Sequence, residues 1–407
     1  MTPLLKTAGP LCGVTVVEFA GLAPVPFAGL ILADFGANVI RIDRPVSSHA
    51  PVSPDFLCRN KRSLAIDLKD PRGLETIKRL IRRADVLIDS FRPGVLEKMG
   101  LGPDVWLGSS GQNGNLVFAR LPGFKQGGPN SDRAGHDINY LALSGVLSLL
   151  PGTSERPSFP LNLLADFAGG GLICAMGVLF ALIERQRSGK GQVVDADMVS
   201  GTRYVATFPM LHAALQSSVV ASSESPRQSN LLDGGAPFYN VYTCADERHV
   251  AVGCLEPQFF RIFLDRFLIA LPSHWLKKQS WIPDIASHGR KEEWPVFRKF
   301  MDKAFRLKPR DEWAAVFHGV DACVTPVLDP MEAAALAAPG DASLVPSPSP
   351  SLSRTPATAH LPFPDVLLPG QHSKEVLLEA GLHADEVADL VKAGIVGIAS
   401  QAQRSKL

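Results

Sequence analysis

The chain has 407 residues and a formal net charge of only +1, and both values restrict what it can be. A chain of this length usually exceeds one hydrophobic core, so two domains are expected. The small net charge argues against nucleic acid as the main partner, because nucleic-acid-binding proteins usually carry a basic face. The six cysteines contain no Cys-x-x-Cys pair, which predicts free thiols in a reducing compartment and no disulfide framework or metal site.

A strand–helix–strand unit is predicted at the start of the chain. Val14–Glu18 is a β-branched run typical of a buried strand, a helical pattern follows up to Gly36, and Ala37–Asp43 is predicted to be the next strand. The turn before the helix carries two prolines and lacks the Gly-x-Gly-x-x-Gly pattern. A nicotinamide dinucleotide is therefore not expected, although Asp43 stands where a ribose-binding acid would.

Further strand–helix repeats follow and predict an α/β fold. Strands are predicted within Arg59–Asp70, at Val86–Ile88 and at Leu116–Arg120, and a helix is predicted at Pro71–Arg83. Repeats of this kind are typical of a doubly wound, Rossmann-like parallel sheet with helices on both faces. The basic residues of Arg59–Asp70 suit either a phosphate cradle or a solvated edge, and the pattern leaves both open.

The second half of the chain predicts a smaller domain and a long connector. Leu172–Glu184 is predicted to be a buried helix, because its apolar run of about a dozen residues is shorter than the roughly 20 that span a bilayer. We expect a large domain over residues 1–216 and a small α/β domain over 230–330. Residues 331–407 are expected to form a Pro-rich connector and C-terminal helices that return to the large domain.

The last three residues, Ser405, Lys406 and Leu407, match the tripeptide that directs proteins into peroxisomes. They predict a peroxisomal location and the peroxisomal import receptor as a partner, and they leave a mitochondrial location open. No secretory signal is evident at the other end, and no membrane span is expected.

Two proton-carrying side chains, His136 and Asp166, stand in mostly apolar surroundings. We expect them to face one another across a bound substrate. The alternatives are a core histidine satisfied by a backbone carbonyl and an aspartate that caps the apolar helix after it. For Asp166 the catalytic role and the capping role are compatible, because a helix N-terminus stabilises a carboxylate.

Ten segments occur in an order and spacing that is specific as a set. They are Val17–Pro24, Leu32–Ala37, Arg41–Pro45, Lys61–Leu64, Phe91–Val95, Gly135–Tyr140, Leu163–Gly171, Gly189–Gln192, Leu232–Tyr239 and Glu256–Gln258. Over nearly the whole chain they resemble the alpha-methylacyl-CoA racemase family, within the family III CoA transferases. The resemblance implies an interlocked homodimer that inverts the C2 centre of 2-methyl-branched acyl-CoA thioesters. It implies no cofactor beyond the coenzyme A of the substrate and leaves acyl length open, bile-acid intermediates included.

Inversion next to a thioester needs two groups, one to remove a proton from one face and one to return a proton to the other. By the resemblance these are His136 and Asp166, and Glu256 orients the histidine. Asp137 is expected either to hydrogen-bond near the thioester or to serve as a turn residue. Gly169 and its neighbours are expected to let the thioester approach the backbone.

The coenzyme A positions also come from the resemblance. They are Arg44, Ile66, Asp67, Leu68, Lys69, Arg92, Lys98, Gly135, Ile138, Asn139 and Tyr140. Lys98 stands where the family often has arginine. A lysine supplies the positive charge but cannot form the paired hydrogen bonds that a guanidinium makes with a phosphate. Two other functions stay open: a CoA transferase with Asp166 as nucleophile, and a non-catalytic acyl-CoA carrier.

Overall fold

The computed structural model describes residues 9–45, 56–222, 225–337, 343–357 and 366–399. The chain divides into two compact units. The first comprises Met1–Ser144, Pro160–Val205 and Val345–Leu407, and the second comprises Gly145–Phe159 and Ala206–Leu344. Residues 145–159 and 206–216, which we expected in the large domain, thus belong to the second unit. The predicted import tripeptide Ser405–Leu407 lies outside the described residues.

A seven-stranded sheet forms the centre of the first unit as described, with strands numbered along the whole chain. The strands are β1 (Thr15–Phe19), β2 (Asn38–Asp43), β3 (Lys61–Ile66), β4 (Val86–Asp89), β5 (Val117–Arg120), β6 (Gln192–Asp195) and β10 (Val396–Gly397). Their order is β10-β3-β2-β1-β4-β5-β6, and β1 to β6 are parallel. This is the doubly wound order, in which the connections reverse direction between β1 and β4. The short β10 adds an antiparallel edge beside β3.

The helices of the first unit cover both faces of this sheet. They are α1 (Pro24–Asp34), α2 (Pro71–Ile81), α3 (Val95–Lys98), α4 (Pro103–Trp106), α5 (Asp137–Leu143), α6 (Ile173–Ser188), α7 (Met198–Val205), α14 (Ser373–Glu379) and α15 (Ala384–Lys392). Successive strand residues point to opposite faces. In β1, Val17 and Phe19 share a buried core with α2, α14 and α15. Glu18 faces the other way, toward Gly29 of α1. The C-terminal helices are therefore part of the first unit's core.

The second unit combines a small antiparallel sheet with an aromatic helical core. Its strands β7 (Tyr239–Thr243), β8 (His249–Gly253) and β9 (Val324–Pro326) pair in that order. Its helices are α8 (Thr207–Ala214), α9 (Pro257–Ala270), α10 (Ser273–Leu276), α11 (Trp294–Phe305), α12 (Arg310–Phe317) and α13 (Pro330–Ala337), with 3-10 turns at Val146–Leu149, Ile285–His288 and Lys291–Glu293. The core is built mainly from Phe260, Phe263, Phe267, Phe297, Phe305 and Trp313. The predicted α/β class, with a mostly parallel sheet and a smaller second domain, is confirmed.

The helix at Leu172–Glu184 is longer than the sequence indicated, and the prediction that it is buried is wrong in part, because Leu172, Phe180 and Ile183 are exposed. A π-helical segment, Leu163–Leu172, runs directly into α6, and together they form 26 residues. Within the described residues this is the single helix long and apolar enough to cross a bilayer, so the argument from its short length was wrong. Length and composition are weak evidence for a span, because the core helix of a soluble protein passes the same test.

Candidate active site

A cavity of about 540 Å³ lies at the carboxyl ends of the parallel strands in the first unit. Its wall is formed by the segments that follow β1, β4 and β5, by the loop before α5 and the start of α5, by one residue of the π-helical segment, and by the first residue of α7. The lining residues are Leu22, Pro24, Val25, Ser90, Phe91, Arg92, Pro93, Leu121, Pro122, Gly123, Phe124, Ser131, Arg133, Ala134, Gly135, His136, Asn139, Tyr140, Asp166 and Met198. Ligands of open α/β sheets bind at this edge, where the strand order reverses.

His136 lies at the N-terminus of α5 with its side chain exposed in this cavity. Its extended backbone (φ −130°, ψ 177°) ends the loop, and its N–H donates to Oδ1 of Asn139 at 3.1 Å. Asn139 is three residues into the helix, so its amide fixes the position of the histidine. The alternative of a buried core histidine is therefore wrong.

Asp166 lines the same cavity from the first turn of the π-helical segment. Its Oδ2 accepts a hydrogen bond from Nδ2 of Asn162 at 3.2 Å. Partial burial raises the pKa of the Asp166 carboxyl, and the charge of Asp137 adds to this, while the Asn162 bond and His136 oppose it. Asn162 occupies the N-cap position of the segment and Asp166 lies inside its first turn, so the predicted capping role of Asp166 is wrong.

Asp137 connects the two elements that carry these groups. It is 5% exposed, and its Oδ2 accepts the N–H groups of Ala165 at 2.9 Å and Asp166 at 2.8 Å. One carboxylate oxygen therefore ties the start of α5 to the start of the π-helical segment. Asp137 does not line the cavity. Its side chain holds His136 and Asp166 in fixed relation through their backbones.

Tyr140 lies near enough to Asp166 and Arg92 for both charges to act on its hydroxyl. Its hydroxyl donates to the carbonyl oxygen of Gly135 at 2.5 Å, which braces the residue before His136. A Cβ on Gly123 would lie 2.2 Å from the Tyr140 ring, so that position requires glycine. Burial and the Asp166 charge raise the pKa of Tyr140, while Arg92 opposes the shift.

Two arginines give the cavity its positive charge. Arg92 and Arg133 both line it, and within the described part of the chain neither side chain makes a hydrogen bond or ion pair. Arg92 was predicted to meet a phosphate, whereas Arg133 was not singled out. Its one signal in the sequence is its position three residues before His136, where an isolated arginine reads as ordinary surface.

Comparison with known proteins assigns the chain to a family. The model of CoA-transferase family III matches residues 11–361. The chain belongs to CoA-transferase family III. It is 43% identical to human alpha-methylacyl-CoA racemase and 46% identical to the mouse protein of that name, in each case over 93% of this chain and 96% of the relative.

A solved structure supports the family fold. The crystal structure of a CaiB/BaiF family protein from Brucella suis superposes with a TM-score of 0.70 at 23% identity, covering 92% of this chain and 100% of that one. At this identity the likeness shows the fold alone.

Other residues predicted for this family III chain do not line the cavity. Arg44 and Lys69 are exposed just beyond β2 and β3, and so stand at the same sheet edge as the cavity. Ile66 is buried at the end of β3 and pairs with Val396, so its side chain belongs to the core.

The remaining predicted positions have varied surroundings. Oδ1 of Asp67 accepts the N–H of Lys69 at 2.9 Å, and Leu68 packs against the core. Ile138 and Lys98 are exposed. Glu256 is exposed at the start of α9 in the second unit.

The basic cluster at the start of β3 is neither a phosphate cradle nor a solvated edge. Nζ of Lys61 is fully buried 2.9 Å from Oε2 of Glu18. Arg59 pairs with Asp34 at 2.5 Å, and Arg62 pairs with Glu379 at 2.7 Å. These partners lie at distant points of the chain, so the sequence pattern alone did not reveal them.

The glycines after Asp166 also have a role different from the one expected. A Cβ on Gly169 would lie 2.5 Å from the backbone nitrogen of Thr202 in α7. A Cβ on Gly171 would lie 2.7 Å from the carbonyl oxygen of Pro24 in α1. These glycines let the π-helical segment pack closely against two helices, a role that the sequence did not indicate. Their approach to a thioester stays a prediction.

Proposed function

We propose that this family III chain is a racemase that inverts the C2 centre of 2-methyl-branched acyl-CoA thioesters. The observation that carries the proposal is that an imidazole and a carboxyl with a raised pKa, His136 and Asp166, line one cavity. The relatives named alpha-methylacyl-CoA racemase match nearly the whole chain, which supports the same activity.

The proposed reaction transfers one proton away from C2 and another one back. His136 takes the C2 proton, and the electron pair of the broken C–H bond moves toward the thioester carbonyl to give an enolate. Protonated Asp166 then gives its proton to the opposite face of C2 and becomes a carboxylate. The reverse inversion starts from the Asp166 carboxylate and ends with a proton from the imidazolium. The raised pKa of Asp166 suits this role, because the group must exist in both forms near neutral pH.

The charge of the cavity suits the anionic part of coenzyme A. Arg92 and Arg133 offer guanidinium groups that are not engaged elsewhere in the described chain, and guanidinium binds phosphate through paired hydrogen bonds. Arg44 and Lys69 stand along the same sheet edge and extend this charge beyond the cavity. Coenzyme A enters here as part of the substrate.

Deuterium exchange tests this proposal. A (2R)-2-methylacyl-CoA incubated with the enzyme in deuterated water is expected to gain deuterium at C2 and to lose optical activity. His136→Ala and Asp166→Ala are each expected to abolish inversion, since each removes one of the two proton carriers. The matched controls His274→Ala and Asp104→Ala change exposed residues outside the cavity and are expected to racemise as the wild type does. Normal racemisation by both cavity variants would refute the assignment.

A CoA transferase is the second candidate, because the matching family is named for that activity. In that reaction the Asp166 carboxylate would attack the thioester carbonyl, expel the CoA thiolate and leave an acyl anhydride on the enzyme. Hydroxylamine trapping during turnover, followed by mass spectrometry of the Asp166 peptide, separates the two functions. The racemase is expected to give no adduct. A non-catalytic carrier would give neither an adduct nor exchange.

A homodimer belongs to the same proposal. Leu172, Phe180 and Ile183 are 50%, 60% and 53% exposed and share one face of the long helix. A contiguous apolar face of this kind favours a protein partner, and we take a second copy of the chain as that partner. Peroxisomal import through Ser405–Leu407 stays a prediction.

A further inference from the structure

A cluster of three ionisable side chains lies beside the cavity without lining it. Asp89 and Arg120 are the last residues of β4 and β5 and pair in register. Nη2 of Arg120 donates to Oε1 of Glu97 in α3 at 2.5 Å. Asp89 is 4% exposed. The reaction proposed above uses none of the three. Asp89 precedes the loop that carries the cavity residue Arg92, and Glu97 follows that loop.

Asp89 fixes the beginning of the segment Ser90–Lys98. Its Oδ1 accepts the N–H of Phe91 at 2.9 Å, which closes a turn around Ser90. Oγ of Ser90 donates to the carbonyl oxygen of Ala20 at 3.3 Å. The ring of Phe91 packs against Phe19 with centroids 5.4 Å apart. The backbone just before the cavity residue Arg92 is therefore held by three separate contacts.

Arg120 and Glu97 fix the end of the segment. The stem of Glu97 packs against Gly102, where a Cβ would lie 2.8 Å from Cγ of the glutamate. The guanidinium of Arg120 lies 5.4 Å from the ring centre of Phe118, and its Nε is buried without a hydrogen bond in the described structure. The Glu97 side chain is 39% exposed, so its charge-assisted bond to Arg120 lies partly in solvent.

We propose that Asp89, Glu97 and Arg120 are positioning residues, which hold Ser90–Lys98 so that Arg92 meets the phosphates of coenzyme A. The inference rests on the proposed function, because it requires Arg92 to bind that group. An arginine side chain loses conformational entropy when it binds a phosphate, which opposes binding. A backbone that is already fixed before binding adds no further entropy loss, so the affinity is higher. If the three residues only stabilised the pairing of β4 with β5, their substitution would leave the affinity for coenzyme A unchanged.

Binding of free coenzyme A, measured by calorimetry, tests the inference together with KM and kcat in the exchange assay. Glu97→Gln keeps the stem but loses the charged acceptor, and is expected to raise Kd and KM by about tenfold with kcat within about twofold. The control Glu75→Gln breaks an exposed ion pair with Arg82 (3.0 Å) on α2 and is expected to change neither value. Wild-type affinity in Glu97→Gln would overturn the inference.

Asp89 offers a second test that does not depend on Glu97. Asp89→Ala removes the acceptor for the Phe91 N–H and is expected to weaken coenzyme A binding by about tenfold. Asp89→Asn keeps a carbonyl oxygen at that place and is expected to restore binding to within about twofold of the wild type. Circular dichroism checks that each variant is folded. Equal affinities of the Ala and Asn variants would overturn the role of Asp89.

A double-mutant cycle separates this inference from the proposed function. Arg92→Gln alone is expected to weaken coenzyme A binding, and adding Glu97→Gln to it is expected to cause no further loss, because the side chain being positioned is gone. Additive losses would overturn the inference and leave the phosphate contact of Arg92 intact. An Arg92→Gln variant with wild-type affinity would overturn the contact itself, and the inference with it.

Discussion

At the scale of single residues, Asp89 provides a pH-dependent test of the cluster. Burial raises the pKa of its carboxyl from 3.8 to about 7, with Glu97 adding to the shift and the Phe91 N–H and Arg120 opposing it. In the unfolded chain the carboxyl ionises near its ordinary pKa. Between these two values the folded protein holds a proton that the unfolded chain has lost, so Asp89 contributes less stability as pH rises and least above pH 7.

Asp89→Asn removes that ionisation. The stability of the variant relative to the wild type is therefore expected to increase as the pH rises from 4 to 8. The gain is at most about 4 kcal/mol, at roughly 1.36 kcal/mol for each pKa unit. Urea midpoints of both proteins at several pH values measure it. Asp104→Asn changes an exposed carboxyl and serves as the control. A constant difference between Asp89→Asn and the wild type across this range would contradict the prediction.

Single residues also show which parts of the site the sequence predicts and which parts it does not. His136 and Asp166 were found through a motif, and the structure places both in one cavity. Arg133 was missed because one arginine carries no pattern of its own. The cations Arg59 and Lys61 were misread because their acidic partners are far away in the sequence.

At the scale of elements, the π-helical segment Leu163–Leu172 positions Asp166 by packing closely against neighbouring helices. Gly169→Ala would place a Cβ 2.5 Å from both the nitrogen and Oγ1 of Thr202, which forces α7 away from the segment. The variant is expected to lose about 1–3 kcal/mol of stability and to racemise more slowly. Thermal unfolding and the deuterium assay measure the two effects. Gly114→Ala, where no atom lies within 4 Å of the added Cβ, is the control, and equal stability of the two variants would contradict the prediction.

The elements differ in how far their own residues specify them. β1 and β2 were predicted to within one residue, because β-branched apolar runs and the bounding glycines mark them locally. The end of α1 was predicted to within two residues, but the prediction of a proline-containing turn before it was wrong, since the helix already begins at Pro24 and proline is tolerated in the first turn of a helix. The two-residue strand β10 is too short to carry a pattern, and it exists only because β3 offers it an edge. The Gly169–Gly171 run reads as a break in isolation, whereas in the fold its missing side chains allow the helix to continue.

At the scale of the whole molecule, each of the two units exposes an apolar helix face among the residues that the structure describes. The first is the face of Leu172, Phe180 and Ile183 described above. The second lies on α8 and its C-terminal cap, where Phe208, Leu211 and Leu215 recur at helical spacing and are exposed. Faces of this kind cannot be derived from composition, because the same periodicity in a sequence predicts burial inside one chain as readily as burial between two.

Burying a large apolar side chain stabilises an interface by roughly 1.5–3 kcal/mol, so three on one helix face contribute several kcal/mol. The wild type is therefore expected to sediment as a dimer at micromolar concentration. Phe180→Asp places a charge in that face and is expected to shift the protein toward monomers, while Phe180→Leu is expected to leave the dimer largely intact. Ile269→Asp changes a single exposed apolar residue on α9 and serves as the control. Sedimentation velocity measures all four proteins. A monomeric wild type, or a Phe180→Asp variant as dimeric as Ile269→Asp, would contradict the assignment of this face to a second copy.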